Sequence, residues 1–573
     1  MLNPELFCNE YRAEDGTWRS ARFQDDVDDG ITIGPHTEVR YGDRRPYVII
    51  PVPGESEWAT QAFSTAAGGG SDIDASVVSP PPTRFPSKRL RPEQEADKED
   101  TTSMSMMVTD ATTANAAEEG EEDEVSAVDS CRQCIDHSHG EQQQQQQKPA
   151  TPFVPGSCMI YVYSSSPSSD QDQDQDQETE GAIKLNDVVE VVGVLSHAPD
   201  LAAAHLHHAS ATQQGTDDVA MSMLDEEMLA AHPPTSQVPR IHALSLMPSS
   251  SPVPAQQSSS LVSKDTIASV RARTIGFLSM VMGGDDVAAE FLLLQMIASV
   301  QRRNKDGVVG VYPLNITNCP PPTTTTTTTE QKERMSEFGE AVATAASLLH
   351  PRTLSLPLSL SFLNDASSPW IPRRGAEEVC MHYGVLQMAP HTFVVADEGV
   401  MEGGQLNEVG LRKLGALQGV MQGQKIGYDF QFFTMEQPTD APVTVLSAAR
   451  TLLKGVGEVV VPLAPKAPTA AGAAAVLAAV QGGGADLGPA REYVQLARKR
   501  NEGFTIPEAL GGALEQELAS AKQKDESVTP ETFHVWLNLA RLLVASYGEE
   551  ELTQERWHQA LALDAERQKR LTA

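Results

Sequence analysis

The segment at residues 392–398, which is Thr-Phe-Val-Val-Ala-Asp-Glu, constrains the fold of this chain more than any other feature. An apolar run of this kind is typical of a strand that is buried on both faces of an α/β sheet. Nucleotide-hydrolysing α/β domains use such a strand to present a metal-binding aspartate and a water-orienting glutamate at its carboxyl end. Asp397 and Glu398 are therefore the candidates for that pair.

A nucleotide site also needs a phosphate-binding loop, usually G-x-x-x-x-G-K-[ST] between a strand and a helix. No Gly-Lys-Ser or Gly-Lys-Thr occurs in the 573 residues. The strand-like segment 308–316, at the expected distance upstream, continues into Thr-Asn-Cys-Pro-Pro-Pro. Because proline has no N–H, this turn cannot offer a run of backbone donors to phosphate. The sequence predicts the outline of an ATPase domain without a bound cofactor, in which Asp397 and Glu398 accept hydrogen bonds from loop N–H groups.

The chain is strongly acidic, with 78 Asp and Glu against 43 Lys and Arg and a formal net charge of −35. Such a field repels phosphate backbones, so we expect a basic protein or a large complex as the partner and no direct binding of nucleic acid. The six cysteines, without a signal peptide, are typical of reduced thiols in the cytoplasm or nucleus. No apolar run approaches the ~20 residues of a membrane span, which predicts a soluble intracellular protein.

Short strand-like segments, interrupted by low-complexity sequence, predict a β domain in the first half of the chain. Residues 158–163, 188–195 and 238–244 are rich in β-branched and aromatic residues. Residues 64–152 contain Gly, Ser and Pro, acidic runs and six consecutive glutamines, and cannot bury enough apolar surface to fold. These features fit a small β-barrel of the OB type that is interrupted by disorder.

Capping signals predict helices in the second half of the chain. Gly283 and Gly284 interrupt an apolar stripe, and Asp285 supplies the cap of the following helix. Thr529, followed by proline and glutamate, opens a later helix. We expect the tail to be helical and Trp557 to pack against the α/β core, since large aromatic side chains are mostly buried.

The predicted fold class is α/β plus β. The predicted segments are 1–63, the first part of the OB-like β domain; 64–152, a disordered acidic insert; 153–247, the second part of the β domain; 248–264, a linker; 265–489, an α/β domain; and 490–573, a helical subdomain.

A cluster in the acidic insert is a weak candidate for a metal site. Cys131, Cys134, His137 and His139 are four potential zinc ligands. Structural zinc sites usually separate two ligand pairs by a folded loop of ~12 or more residues, whereas here the second pair follows after two residues. We interpret the spacing as chance and predict no metal.

A basic tract at residues 84–91 precedes an acidic stretch of the same insert and includes Lys88, Arg89 and Arg91. Exposed tracts of this kind are typical of nuclear-import signals, while the alternative is local charge balance. The sequence leaves both interpretations open.

Nine segments, spread in order over nearly the whole chain, carry a recognisable pattern: 52–58, 185–193, 238–242, 276–278, 285–290, 403–406, 424–430, 556–557 and 567–571. The motif V-P-G-E-S-x-W at 52–58 is specific. Taken together, these segments resemble one family, the mini-chromosome maintenance complex-binding proteins. Members of the family carry a further N-terminal segment of about domain size, and we expect this chain to begin partway through it.

The resemblance implies a nuclear protein that binds the subunits of the replicative helicase. It also implies a role in assembling or unloading that complex during S phase, with effects on sister-chromatid cohesion. A further likeness to the helicase subunits themselves implies a degenerate AAA-like domain with a C-terminal helical lid. Working subunits have an asparagine that senses the γ-phosphate and an arginine in the lid; this chain has Ser447 and Glu531 at those places.

Our first hypothesis is a non-enzymatic adaptor whose AAA-like domain docks helicase subunits by imitating a neighbour in the ring. One alternative is a residual ATPase, in which Asp397 holds magnesium and Glu398 orients water; the missing phosphate loop opposes it. The other is an OB module for single-stranded nucleic acid, which the acidic charge and the aromatic content of 5% oppose. We expect Arg567, Lys569 and Arg570 to be exposed and to contact an acidic patch on a helicase subunit.

Overall fold

The computed structural model has a mixed α/β architecture with a β sheet followed by a parallel α/β region and C-terminal helices. The structure describes residues 5–13, 16–20, 22–23, 38–67, 156–163, 183–196, 238–249, 263–305, 307–322, 334–374, 381–453, 459–483, 486–524 and 528–572.

The N-terminal sheet has six strands in the order β2-β1-β3-β4-β6-β5 and curls into a half-barrel. Its strand pairs are antiparallel except for β4 with β6, which are parallel. Within the described residues β2 and β5 are the edges of the sheet, so it is an open half-barrel and not the closed barrel that the sequence predicted. The strands are β1 (Glu5–Arg12), β2 (Trp18–Ser20), β3 (Val39–Ile49), β4 (Cys158–Tyr163), β5 (Val189–Ser196) and β6 (Arg240–Pro248).

The second region contains a five-stranded parallel sheet, a four-stranded sheet and a β hairpin. The parallel order is β10-β13-β16-β9-β17, and the four-stranded order is β12-β11-β14-β15. The strands are β7 (Arg302–Asn304), β8 (Gly307–Val309), β9 (Leu314–Thr317), β10 (Thr353–Pro357), β11 (Arg373–Arg374), β12 (Met381–His382), β13 (Phe393–Asp397), β14 (Lys425–Asp429), β15 (Thr434–Pro438), β16 (Val443–Leu446) and β17 (Val459–Pro462).

Helices cover both faces of the parallel sheet. The helices are α1 (Glu57–Ala67), α2 (Lys264–Val281), α3 (Asp286–Met296), α4 (Glu337–Leu349), α5 (Leu360–Asn364), α6 (Glu408–Gly423), α7 (Gly472–Gly483), α8 (Gly488–Glu502), α9 (Glu508–Lys524), α10 (Pro530–Ser546) and α11 (Gln554–Thr572).

Strand β13 is buried along its whole length, which confirms the interpretation of its apolar run as a central strand. Phe393 and Val395 face the core formed with α2, α3, α4, α8, α10 and α11. Val394 and Ala396 face the second core, which includes side chains of α5 and α6. Parallel strands that are covered on both faces must be apolar at every position, so the absence of alternation in the sequence follows from this layering.

The V-P-G-E-S-x-W segment joins the two regions. Gly54 accepts a hydrogen bond from the N–H of Thr353 (2.8 Å), and its φ of +68° brings the backbones so close that a Cβ would lie 2.3 Å from the Thr353 oxygen. Trp58 donates its ring N–H to the Ser347 carbonyl (2.8 Å), and the Arg491 guanidinium lies 4.8 Å from the centre of the Trp58 ring. The most specific motif of the sequence therefore stabilises the contact between the β sheet and the α/β region.

The structure changes several details of the predicted organisation. Helix α1 extends to Ala67, beyond the boundary at residue 63, and α8 begins before the boundary at residue 490. The single strand predicted at 308–316 is wrong, since β8 and β9 are separate strands with a turn at Gly310 (φ +95°) between them. Most of the predicted insert, residues 68–152, lies outside the described residues.

The predicted C-terminal helices are confirmed in position and in packing. Thr529 caps α10 and Pro530 opens it. Trp557 is 2% exposed and, with Leu542 and Leu543, belongs to the core that covers the parallel sheet. Among the helices that the structure describes, none is both long and apolar enough to cross a membrane.

Candidate functional site

The carboxyl ends of the parallel strands form the edge at which open α/β sheets bind ligands. After β9 the chain continues to β10, which is one edge strand of the sheet. After β16 it continues in the opposite direction to β17, which is the other edge strand and pairs with β9. The crevice between β9 and β16 is therefore the topological switch point, where a ligand would be expected. We call this edge the switch-point site; it consists of Asn315, Ser336, Asp397, Glu398 and Ser447.

Asp397 is 1% exposed and lies at the end of β13. One of its carboxylate oxygens accepts a hydrogen bond from the N–H of Ser336 (2.6 Å), and the other accepts from the N–H of Gly399 (2.8 Å). Burial raises the pKa of Asp397, and the hydrogen bonds from Ser336 and Gly399 offset this increase only in part. The carboxylate is thus held by loop N–H groups, the kind of partner that the sequence predicted, and by the Ser336 side chain.

The N-terminus of α4 faces this carboxylate. Ser336 is the N-cap and accepts a hydrogen bond from the N–H of Gly339 (3.0 Å). A Cβ at Gly339 would lie 2.3 Å from the Asp397 carboxylate, so only glycine allows this approach. Helix N-termini attract anions through their free N–H groups and dipole. In this protein Asp397, together with Glu337 and Glu340 in the first turn, brings negative charge to the position that a phosphate would need.

Glu398 is directed to a different loop. One of its carboxylate oxygens accepts from the Thr451 hydroxyl (2.7 Å) and from the N–H of Leu452 (3.1 Å). These bonds fix the loop that follows β16. A carboxylate in this arrangement orders the backbone of that loop.

Ser447, which the resemblance to helicase subunits implied at the place of a sensor asparagine, is buried and directed inward. Its hydroxyl donates to the Asn315 side chain (3.0 Å) and lies 3.0 Å from the Ala449 carbonyl. Its carbonyl accepts from the N–H of Cys319 (3.1 Å), which connects the two strands across the switch point. Burial, and then the charge of Asp397, raise the pKa of the Cys319 thiol to about 12. The turn that would carry a phosphate loop is therefore closed against β16.

Glu531, which the resemblance to helicase subunits implied at the place of a lid arginine, lies in the first turn of α10 and is exposed. A hydrogen bond with Thr529 lowers the pKa of its carboxyl, which is consistent with an acid at a helix N-terminus. A negative charge here would repel phosphate instead of binding it. Among the residues that the structure describes, no group of three or more His, Cys, Asp or Glu is placed to hold a metal ion.

The expectation that the basic end of the last helix is exposed is wrong for two of its three residues. Arg567 is 6% exposed, pairs with Asp564 (2.7 Å) and donates to the Val460 carbonyl (3.2 Å). Arg570 donates to both carboxylate oxygens of Asp285 (2.6 and 2.9 Å).

The sequence did not reveal these contacts because they arise where α11 packs against β17, along the face that carries the arginines. Lys569 differs from Arg567 and Arg570: it is exposed and pairs with Glu566 (2.6 Å).

The remaining candidates lie outside the described residues. These are the import candidates Lys88, Arg89 and Arg91, and the zinc candidates Cys131, Cys134, His137 and His139.

Sequence reasoning did not identify Asn315, Ser336 or Gly339 as members of the switch-point site. The pattern Ser336-x-x-Gly339 before an apolar run resembles an ordinary helix start, and such a pattern does not reveal which carboxylate lies opposite. The Asp285 cap was predicted, but its pairing with Arg570, 285 residues away, carries no local signal.

The fold and site define an α/β protein whose switch point is filled by its own carboxylate and closed turn, attached to an N-terminal β sheet. A family model described as mini-chromosome maintenance replisome factor matches residues 1–571. The chain therefore belongs to this family.

Curated relatives support the assignment over the full length. The mini-chromosome maintenance complex-binding protein of Arabidopsis thaliana is 28% identical over 100% of this chain and 86% of its own length. The protein of the same name from Danio rerio is 28% identical over 99% of this chain and 86% of its own length. The protein of that name from Homo sapiens is 26% identical over 100% of this chain and 87% of its own length.

Proposed function

We propose that this chain is a non-enzymatic adaptor that binds the subunits of the mini-chromosome maintenance helicase in the nucleus. Its role is to regulate the assembly of that complex or its unloading from chromatin during DNA replication, with effects on sister-chromatid cohesion. Membership of the family supports the helicase as the partner, since the relatives are named for binding that complex.

The observation that carries the non-enzymatic part is the occupation of the α4 N-terminus by Asp397 (Ser336 N–H to carboxylate, 2.6 Å). A phosphate at the same place would be within reach of this buried carboxylate and would be repelled by it. The charge of Asp397 also has no role in catalysis unless a phosphate loop holds the nucleotide beside it. The closed turn at Cys319 opposes such a loop.

The architecture supports the interpretation as a degenerate AAA-like domain with a lid, joined to a split OB-like domain. The five-stranded sheet has its acidic pair at the carboxyl end of a central strand, and α10 and α11 cover the same core. Subunits of a ring bind each other through two different faces, so a domain with this architecture can occupy the face of a neighbour. Because its switch-point site is closed, it would not complete an ATP site.

Two measurements test the proposal. The melting temperature of the full chain should not change when magnesium and ATP are added at about 5 mM each. If the chain bound ATP, a concentration about 100 times the Kd would raise the free energy of unfolding by about 2.7 kcal/mol. The purified full chain should capture purified helicase subunits equally well with and without ATP. Thermal stabilisation by ATP that disappears in Asp397→Ala would instead favour a residual ATPase, and failure to capture any subunit would exclude the adaptor.

For localisation, we propose that the basic tract with Lys88, Arg89 and Arg91 supports nuclear import. Replacing these three residues by alanine in a fluorescent fusion of the full chain should shift the protein towards the cytoplasm. An unchanged distribution would assign the tract to local charge balance.

A further inference from the structure

The hairpin of β14 and β15 ends in an exposed aromatic turn. The two strands pair antiparallel, with Tyr428 opposite Met435, and residues 430–433 form the turn. Phe432 is 93% exposed, Phe433 60% and Met435 40%. Single exposed apolar residues are common on protein surfaces, but adjacent large apolar side chains at one tip are typical of interaction sites. We call Phe430, Phe432, Phe433 and Met435 the aromatic tip.

The aromatic tip is held in a fixed shape. The N–H of Phe430 donates to the Phe433 carbonyl (2.9 Å), and the two rings stack with centres 4.9 Å apart at 13°. Gln431 adopts a left-handed conformation (φ +71°); its N–H donates to the Asp429 carboxylate (2.9 Å) and its side chain donates to the Arg374 carbonyl (3.1 Å). A turn with this many internal bonds keeps Phe432 outside in the free protein. Less ordering is then needed when a partner binds, which favours affinity.

The base of the hairpin is anchored in the core. Ile426 and Tyr428 are 1% and 4% exposed, and both belong to the second core of the α/β region. The Tyr428 hydroxyl also donates to Asn186, just before β5, so the hairpin is tied to the N-terminal sheet. The aromatic tip therefore projects from a rigid base that contacts both regions of the protein.

The charges beside the aromatic tip are neutralised locally. Lys425 pairs with Glu436 (2.8 Å), and Arg373 pairs with Asp429 (3.5 Å). Proteins that stack bases on aromatic side chains surround them with cations that follow the phosphate backbone. Here Lys425 and Arg373 are matched by acids on the hairpin itself. The surface fits a neutral apolar groove of a protein and does not fit nucleic acid.

A second copy of this chain is also a poor match. Stable interfaces bury about 800 Å² on each partner. A turn of four residues offers much less than this in a symmetric contact, whereas a projecting aromatic side chain fits the pocket of a larger, asymmetric interface.

We propose that the aromatic tip inserts into a neutral apolar groove of a helicase subunit and anchors the complex. This inference rests on the proposed function and identifies the surface that performs it. The contact should depend weakly on salt, because it involves no net charge.

The test compares the full-length wild type with Phe432→Ala/Phe433→Ala, measuring affinity for purified helicase subunits. We expect at least tenfold weaker binding, a melting temperature within about 2 °C of the wild type because both side chains are exposed, and rescue by Phe432→Leu/Phe433→Leu. The matched control is Tyr41→Ala, an aromatic residue on the N-terminal sheet with 59% exposure, which should bind as the wild type does.

Other outcomes overturn the proposal in distinguishable ways. Affinity of the alanine variant within twofold of the wild type would place the interface elsewhere and leave the adaptor function standing. No capture by the wild type would exclude both. A dimer of the free chain that dissociates in the alanine variant would make a second copy the occupant. Binding of a single-stranded oligonucleotide that is lost in this variant would make the occupant a nucleic acid.

Discussion

Two buried aspartates at helix starts, Asp285 and Asp397, show how the same side chain is used differently in two regions of this protein. Each is 1% exposed and accepts hydrogen bonds from backbone N–H groups. Burial acts to raise the pKa of both. For Asp285 the hydrogen bonds from Arg570, Ala464 and Ala288 outweigh burial and lower the pKa, whereas the pKa of Asp397 remains raised. The guanidinium of Arg570 accounts for much of the difference.

The two aspartates have different surroundings. Asp285 belongs to a structural ion pair, whereas Asp397 lies at the edge of the sheet where open α/β proteins usually bind ligands. Arg570 ties the end of α11 to the start of α3 and to the Pro462 carbonyl (3.1 Å), so this pair joins three elements of the core. Asp397 joins β13 to α4 through the N–H and side chain of Ser336, and among the described residues no cation pairs with it. The buried carboxylate of Asp397 is stabilised by hydrogen bonds from Ser336 and Gly399 and not by a charged partner.

The largest effect is expected from breaking the ion pair. Arg570→Ala should lower the free energy of unfolding by about 3–5 kcal/mol, because it leaves the charge of Asp285 buried without its partner. Urea denaturation at pH 7 would measure the change. Such a loss would not be expected if Arg570 were exposed, as the sequence predicted.

Lys569→Ala provides the matched control for the ion pair, since it removes a charge from the same turn but from the exposed side. Its pair with Glu566 is open to solvent, and the change should stay within about 0.5 kcal/mol. Equal stability of the two variants would show that Arg570 is not part of the core, and the contrast between Asp285 and Asp397 would fail.

A smaller effect is expected at the contact between Asp397 and α4. Gly339→Ala places a Cβ 2.3 Å from the Asp397 carboxylate, so one of the two must move. Overpacking costs about 1–3 kcal/mol, while alanine gains up to about 1 kcal/mol in helix propensity. We therefore expect a net loss of about 1–2 kcal/mol in urea denaturation.

The control for this substitution is Gly415→Ala in α6, where a Cβ would meet open space. That variant should gain about 0.5–1 kcal/mol from helix propensity alone. A gain of the same size for Gly339→Ala would mean that Asp397 does not approach α4 as closely as the structure shows.

Local signals were sufficient to predict most of the elements around these two aspartates. The run ending at Asp397 predicted β13, and Gly283, Gly284 and Asp285 predicted the break and the cap between α2 and α3. These predictions succeed because a buried parallel strand and a helix cap each depend on residues that are adjacent in the chain.

The partners of the two aspartates could not be predicted in this way. The hydrogen bond from Ser336 to Asp397 spans 61 residues, and the pair of Arg570 with Asp285 spans 285. The sequence predicted an exposed Arg570, as is usual for arginine. Its pairing with Asp285 depends on α11 lying against β17, which only the tertiary structure determines.

The smallest expected effect is a difference between the two aspartates in how the free energy of unfolding depends on pH. A carboxyl with a raised pKa in the folded state binds a proton more readily there than in the unfolded chain, so it adds stability as the pH falls towards its pKa. A carboxyl with a lowered pKa loses its contribution only below the ordinary value near 3.8. We therefore compare the free energy of unfolding of the wild type with that of each variant. From pH 7 to pH 5, the difference between the wild type and Asp397→Ala should change in favour of the wild type. The difference between the wild type and Asp285→Ala should stay constant.

Urea denaturation of both variants across this range measures the two differences directly. Buried His350 and His391, whose pKa values are lowered mainly by burial and then by the Arg498 guanidinium, destabilise the fold below about pH 6.5. They do so in the wild type and in both variants, so their contribution cancels. Cys319 stays protonated throughout and adds no slope. If the difference for Asp397→Ala stays constant, the hydrogen bonds to Asp397 fully offset the effect of burial on its pKa. The two aspartates would then respond alike to pH in this range, although only Asp285 has a guanidinium beside it.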